Sequence, residues 1–226
     1  MVGLVLAAVL WVAWHVGVSG TRLRDAIVAR IGENAFRGIF SLGSVLTIVL
    51  LIVAYNGTPS MAFWVIPSWL QWLLVLAMLP ACILLVGSVA TRNPTMVAPA
   101  ASAAKSDIVR GMIRVTRHPM LWAVAIWAAT HVIADGDTAS LLFFGAFLIT
   151  ALAGMPSIDA KLARGDPTRW QAMARATSLG PGVAIAEGRN RLVLAELWLP
   201  ILAGVILWLV LLFAHQWILG VSPMPG

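Results

Sequence analysis

Six stretches of mostly apolar residues recur along the chain, each close to the length that crosses a lipid bilayer. They cover 2–19, 36–55, 69–90, 118–134, 139–155 and 197–219. At about 1.5 Å per residue, roughly 20 helical residues span a hydrocarbon core about 30 Å thick. Charged residues make up only 11% of the chain, against about 25% in soluble domains. The sequence therefore predicts an all-α integral membrane bundle of about six transmembrane helices.

The segments between these stretches are short, with one exception. Asp135-Gly136-Asp137 joins the fourth and fifth stretches and predicts a helical hairpin. The longest polar segment covers 156–196, where Asp166-Pro167 is typical of a helix start. A short basic amphipathic helix is expected after it, over 168–177. No segment is long enough to form a separate soluble domain, so we predict one transmembrane domain over 1–226 with a cytoplasmic amphipathic loop.

The fifteen basic residues fall only between alternate pairs of stretches or, for Arg37, at the edge of one. Four follow the first stretch, five follow the third and six follow the fifth: Arg22, Arg24, Arg30 and Arg37; Arg92, Lys105, Arg110, Arg114 and Arg117; Lys161, Arg164, Arg169, Arg175, Arg189 and Arg191. Basic loops stay in the cytoplasm. We therefore expect a multi-pass protein of the bacterial inner membrane with both termini outside the cytoplasm. The net charge of +6 then reports topology, and the expected partner is the lipid bilayer rather than nucleic acid.

Four histidines lie in or at the ends of the apolar stretches: His15, His118, His131 and His215. Ionisable side chains inside a membrane are costly and often functional. No acidic residue lies deep in any stretch, which argues against paired-carboxylate catalysis and carboxylate metal cages. A membrane histidine can hydrogen-bond a neighbouring helix, but neutral imidazole is also a good ligand for iron. Four histidines without carboxylates favour a porphyrin iron.

Helix geometry limits how these histidines can pair. His118 and His131 are 13 residues apart on one predicted helix, which is about 20 Å along its axis and nearly opposite in direction. They cannot both bind one iron. Depth would pair His15 with His118 and His131 with His215, and a tilted haem could instead join His15 to His131. One haem or two remain open on this reasoning.

Two arginines stand beside a histidine where the fourth stretch begins, at Arg114, Arg117 and His118. One interpretation is a topology anchor with Pro119 in the first helical turn. The functional interpretation is an anion site for a haem propionate, a phosphate or a carboxylate, because arginine binds such groups through two donors.

Several segments, in order along the chain, resemble the NnrU family, which is related to the plant 15-cis-ζ-carotene isomerase. The strongest covers 111–120 and is followed by Trp127 and His131. The others are His15 before an arginine-containing turn, Gly32 with 36–42, 175–178, 187–189 and 213–215. The resemblance extends over most of the chain.

The resemblance implies a multi-helix membrane protein, and in its isomerase branch a haem b held by two histidines. Carried over by motif, these ligands are His15 and His131, with His118 and His215 as the reserve pair. The isomerase is thought to work with reduced iron, when one axial ligand is released, on a lipophilic polyene. The bacterial branch is associated with denitrification and nitric oxide. This sequence departs from the isomerase at 143–150, which offers no histidine, so an isomerase-like activity is less firmly implied than haem.

Two other classes compete with this interpretation. The Arg-His-Pro stretch before a hairpin also resembles membrane S-adenosylmethionine-dependent methyltransferases. Those enzymes use an acidic pair after the hairpin, and this chain has Ser157-Ile158-Asp159 there. The third class is a non-enzymatic membrane assembly factor.

The alternation of basic residues predicts that the two termini share the side of the membrane opposite to the basic loops. A C-terminal fusion to alkaline phosphatase should be active, because that enzyme folds only outside the cytoplasm. A C-terminal fluorescent protein that requires the cytoplasm should stay dark. The reverse pattern would contradict the orientation.

Overall fold

The computed structural model describes residues 1–90 and 109–225, and these residues are almost entirely helical. Its helices are α1 Val2–Val18, α2 Arg22–Ile31, α3 Glu33–Asn56, α4 Ser68–Ala90, α5 Met112–Val115, α6 Pro119–Asp135, α7 Thr138–Gly165, α8 Pro167–Ala176, α9 Val183–Ala186 and α10 Leu194–Leu219. The described part contains one isolated β-bridge, between Ala62 and Asp137, and no β-sheet. The all-α membrane fold is confirmed. Arg92 and Lys105, which entered the orientation prediction, lie outside the described residues.

Six of the helices coincide with the six predicted stretches, namely α1, α3, α4, α6, α7 and α10. Four of them, α3, α4, α7 and α10, are long and apolar enough to cross a membrane. Helices α1 and α6 are shorter. Helix α1 is long enough to cross a membrane only if it is counted together with α2, to which it is bent by 73°, and α6 is a shorter apolar helix. Each has 17 residues, or about 26 Å. Four or five spans are therefore supported, and six stays a prediction.

Two helices differ from the expected boundaries. Helix α7 continues to Gly165 through Pro156, so it includes the first ten residues of the predicted polar loop. A proline inside a membrane helix removes one backbone hydrogen bond without necessarily ending the helix. Helix α2 was not predicted. Its Asp25 lies in the first turn and its Arg30 in the last, and both charges favour the helix dipole.

The chain divides into two compact units, each made of two segments. Unit 1 contains Met1–Ile66 and Ala128–Lys161, and unit 2 contains Pro67–Trp127 and Leu162–Gly226. Each unit is described by itself below.

In unit 1, α1 packs closely against α3. The indole N–H of Trp14 donates to the Phe40 carbonyl at 3.2 Å, and a Cβ at Gly43 would overlap the Trp14 ring. Small side chains let membrane helices approach one another, and the buried core of this unit follows that rule: it consists of Leu4, Ala7, Ala8, Leu51, Ala139 and Ala146.

The loop 57–67 is hydrogen-bonded to the turn between α6 and α7. The Phe63 N–H donates to the Gly136 carbonyl at 2.8 Å, and the Trp64 indole donates to the Ile133 carbonyl at 2.9 Å. Gly136 has φ +63° and lies so close to Trp64 that a Cβ would overlap it. A glycine is required here for both reasons.

Asp137 starts α7 and confirms the predicted hairpin turn. Its carboxylate accepts from the N–H groups of Ala139 at 2.8 Å and Ser140 at 2.9 Å, and from the Ser60 hydroxyl. Burial alone would raise the pKa of Asp137, but these hydrogen bonds hold it below its ordinary value. The stabilisation is therefore present above pH about 4 and is lost as the pH falls through the lowered pKa.

In unit 2, α4 packs against α10. The Trp208 indole donates to the Val75 carbonyl at 2.9 Å, and Gly204 faces the Ile83 backbone. Helix α8 begins where the sequence predicted, because the Asp166 carboxylate accepts from the Arg169 N–H at 2.9 Å.

Replacing Gly204 by alanine should destabilise unit 2, because the new Cβ would lie 2.6 Å from the Ile83 Cα. Overpacking of this kind costs about 1–3 kcal/mol. The control is Gly145→Ala in α7, where nothing lies within 4 Å and alanine is the better helix former. Thermal unfolding in detergent should show a lower midpoint for Gly204→Ala only; equal midpoints would contradict the close packing.

Candidate functional site

The four candidate histidines divide evenly between the two units. His15 on α1 and His131 on α6 both belong to unit 1, whereas His118 and His215 both belong to unit 2. The pair implied by the family resemblance is therefore found within one compact unit.

His15 is oriented by its own helix. Its Nδ1 lies 2.9 Å from the Trp11 carbonyl oxygen, one turn earlier. A carbonyl can only accept, so Nδ1 carries the proton and Nε2 of the neutral ring keeps a lone pair. The Trp11 and His15 ring centroids are 3.9 Å apart. A histidine held in this tautomer by a backbone carbonyl is the usual arrangement of a metal-binding histidine.

His131 lies one turn before the end of α6 and is partly buried. Its ring stacks on Phe144 of α7, with the centroids 4.7 Å apart and the planes 29° apart. This contact fixes one face of the imidazole against an aromatic side chain.

An aromatic cluster joins the surroundings of the two histidines. Trp11 contacts Phe147 at 4.8 Å between ring centroids, and Phe147 contacts Phe143 at 5.3 Å. Phe143 in turn contacts both Phe144 at 5.0 Å and Tyr55 at 4.6 Å. Four members of this cluster, Trp11, Phe147, Phe143 and Phe144, form an unbroken series of ring contacts from His15 to His131, and Tyr55 packs beside it. The region that lacks a histidine in the sequence, 143–150, supplies three of its members.

The residues present fit a haem better than a bare metal ion. Among residues 1–90 and 109–225, no three histidine, cysteine or acidic side chains are grouped to hold a metal. A porphyrin supplies four nitrogens itself and takes only axial ligands from the protein. The Trp11 indole N–H is also buried and has no hydrogen-bond partner in the same described ranges. An unsatisfied buried donor costs about 1–3 kcal/mol, which an N–H···π contact with the face of a bound porphyrin would relieve in part.

The reserve pair, His118 and His215, is not brought together. His118 is fully buried and follows Arg114 by four residues, and Arg114 contacts Glu196 in the first turn of α10. His215 lies 19 residues beyond Glu196 on that helix, roughly 28 Å along its axis. Its Nδ1 is 2.7 Å from the Val221 carbonyl near the chain end.

Arg114 has an internal partner that the sequence did not reveal. Its guanidinium donates to both carboxylate oxygens of Glu196, from Nε at 2.8 Å and from Nη2 at 3.1 Å. The same carboxylate accepts from the Gly111 N–H at 2.6 Å. The hydrogen bonds to Glu196 raise the pKa of Arg114 above its ordinary value.

Arg117 is engaged with the segment that follows α8. Its Nη1 donates to the Thr177 carbonyl at 3.0 Å, and its guanidinium lies 5.2 Å from the Trp170 ring centroid. Next to it, the Thr116 hydroxyl donates to the Leu179 carbonyl at 2.7 Å.

Two further polar residues close the same network. Asn190 Nδ2 donates to the carbonyls of Arg114 at 3.1 Å and Ala176 at 2.7 Å. Arg189 Nη1 donates to the Thr177 carbonyl at 2.6 Å, so it caps the end of α8. The anion site at Arg114 and Arg117 stays a prediction, and these contacts give both arginines a structural use. No signal in the sequence indicated Asn190, whereas Glu196 was visible as an acid at the edge of an apolar stretch.

Three of the segments that resemble NnrU proteins, 111–120, 175–178 and 187–189, meet in this network. The family described as NnrU protein matches residues 3–223. The chain belongs to the NnrU family. This NnrU protein is also 26% identical, over 243 residues, to 15-cis-zeta-carotene isomerase, chloroplastic, of Arabidopsis thaliana. The match covers 98% of this chain and 61% of that relative, so the chain spans about three fifths of the relative's length. No solved structure matches the chain.

If Arg114 and Glu196 act as a structural pair, Arg114→Gln and Glu196→Gln should each cost about 1–3 kcal/mol, because each leaves the other charge partly buried and unpaired. The double variant should cost less than the sum of the two. The measurement is the thermal midpoint in detergent. Arg22→Gln, an exposed arginine of α2, is the control. A strictly additive double variant would leave Arg114 available for an external anion.

Proposed function

We propose that this NnrU protein binds haem b within the membrane through His15 and His131. The observation that carries the proposal is the hydrogen bond from His15 Nδ1 to the Trp11 carbonyl. It leaves Nε2 unprotonated, so that this nitrogen could bind iron, and it does so without any titratable partner. His131 belongs to the same unit and is joined to His15 through the aromatic cluster.

We further propose that the activity is a redox-gated cis–trans isomerisation of a lipophilic polyene. The support is the plant relative, which is by name an isomerase of 15-cis-zeta-carotene and which matches 98% of this chain. The aromatic cluster adds an apolar, polarisable surface beside both histidines, suited to an extended conjugated ligand. A bound haem would supply a redox-active iron with an exchangeable axial position. This chain's own residues would hold the two imidazoles, exclude water and orient the ligand.

The same proposal places the protein in a bacterial inner membrane with both termini outside. The support is the position of the basic residues that the structure describes. Four lie on α2 and the start of α3, and the others of the described part lie in or beside α5, at the end of α7, on α8 and between α9 and the start of α10. Basic segments favour the cytoplasmic side.

The test is an optical spectrum of protein purified after expression with excess haem. We expect a Soret band, a pyridine haemochrome of the b type and a low-spin ferric form. His15→Ala and His131→Ala should each lose haem or become high-spin, because alanine cannot bind iron. His215→Ala is the matched control. Reduction should open the iron to carbon monoxide, and the reduced protein should isomerise a cis-polyene.

Haem-free protein under these conditions would overturn the proposal. Binding of an S-adenosylmethionine analogue would then support the methyltransferase class, and neither ligand would leave a membrane assembly factor. A haem lost on changing His118 and His215, but kept without His15 or His131, would show that the other pair holds the iron.

A further inference from the structure

A group of charged residues lies at the polar end of unit 1, beyond His15. We call it the charged end, and it consists of Arg24, Asp25, Glu33, Arg37 and Lys161, whose charges act on one another. The arginines and carboxylates come from α2 and α3, and Lys161 comes from the last turns of α7.

The two arginines of the charged end are already paired. Glu33 accepts from Arg24 Nη2 at 2.7 and 2.8 Å and from Arg37 Nε at 3.1 Å. Arg24 Nη1 also lies 3.5 Å from Asp25. Three cations face two carboxylates, so one positive charge remains. Lys161 is partly buried, and across residues 1–90 and 109–225 its ammonium makes no hydrogen bond or ion pair. A half-buried cation in this state favours an added anion.

A close contact between the end of α1 and α7 relates the charged end to His15. Gly20 packs directly on Ser157 of α7, where a Cβ would overlap both side chain and backbone. His15 precedes Gly20 by five residues and Lys161 follows Ser157 by four, so the two side chains are offset by roughly 13 Å along the helices.

A second series of contacts leads the same way. The His15 ring lies 5.6 Å from Phe40, and Phe40 lies 5.8 Å from Phe36, over which the Arg24 guanidinium sits at 5.2 Å. The iron ligand and the charged end are therefore neighbours in one packed unit.

We propose that Lys161 binds a propionate carboxylate of the haem that His15 holds. The inference rests on the proposed function, and it assigns the propionate site to unit 1 rather than to Arg114 and Arg117. Haem b carries two carboxylates on one edge and is apolar elsewhere. His15 lies near the end of α1, on the side of the charged end. A polar haem edge turned toward that end would meet Lys161, whereas Arg24 and Arg37 are already paired with Glu33.

The decisive probe is haem against haem dimethyl ester, which has the same iron and ring but no carboxylate. Protein expressed under haem depletion is loaded with either compound in detergent. The rate of transfer to excess apomyoglobin is then measured. Wild-type protein should release the ester roughly five- to tenfold faster, the effect expected for one charged hydrogen bond in a partly buried site. The optical spectra of the two complexes should match, because the axial ligands are the same.

Variants assign that difference to one residue. Lys161→Met should release haem as fast as wild type releases the ester, and should no longer distinguish the two compounds. Lys161→Arg should restore the preference, which excludes a general folding defect. Arg30→Met, an exposed cation of α2 in the same unit, should behave as wild type.

A preference for haem that persists in Lys161→Met would overturn the inference, as would equal release of both compounds by wild type. So would loss of co-purified anionic phospholipid from Lys161→Met with unchanged haem release, which would assign the ammonium to a lipid headgroup. In each of these cases wild type still shows a b-type spectrum. The proposed function fails separately, if wild type takes up neither compound.

Discussion

Lipid offers the backbone no hydrogen-bond partner, so a chain in a bilayer must satisfy its N–H and carbonyl groups within each helix. The placement of polar contacts in this structure follows from where the helices end and backbone groups lose their partners within the helix. Along the helices the contacts are close and apolar, with Gly43 and Gly204 admitting Trp14 and Ile83. The polar contacts gather at helix ends, where donors and acceptors are left over. Asp137 accepts from the N–H groups at the start of α7, and Arg189 and Asn190 donate to the carbonyls at the end of α8.

The network around Arg114 shows how distant segments become one structure. A four-residue helix such as α5 cannot be stable by itself. It is held because Glu196 binds both the Arg114 guanidinium and the Gly111 N–H, while Asn190 binds the Arg114 carbonyl. Each contact joins residues more than 70 positions apart in the chain. Thr116 and His118 lie beside this network and are buried, so they are not part of a solvent-exposed site.

The sequence predicted what depends on hydrophobic length and local chemistry. The apolar stretches mark the positions of all six apolar helices, and Asp166 and Asp137 mark the helix starts at which they lie. The number of transmembrane spans could not be predicted from the sequence, because 17-residue helices such as α1 and α6 fall near the limit for crossing a bilayer. The polar network around Arg114 could not be predicted from the sequence either, since the pairing of Arg114 with Glu196 depends on a contact between residues 82 positions apart. The four-residue spacing of Trp11 and His15 carries little weight in a chain with eleven tryptophans, yet the structure places their rings in contact.

The residues that reveal the family and the residues suited to its chemistry are different ones. The Arg-Val-Thr-Arg-His-Pro stretch is the most recognisable segment, and its side chains are used in holding unit 2 together. The residues that we propose to hold iron are two separated histidines in unit 1, and each of them contacts an aromatic ring of a kind common in membrane helices. Two imidazoles cannot by themselves complete the coordination of a metal ion. They can complete that of an iron whose other four ligands are already provided, and this is why so spare a donor set suits a porphyrin.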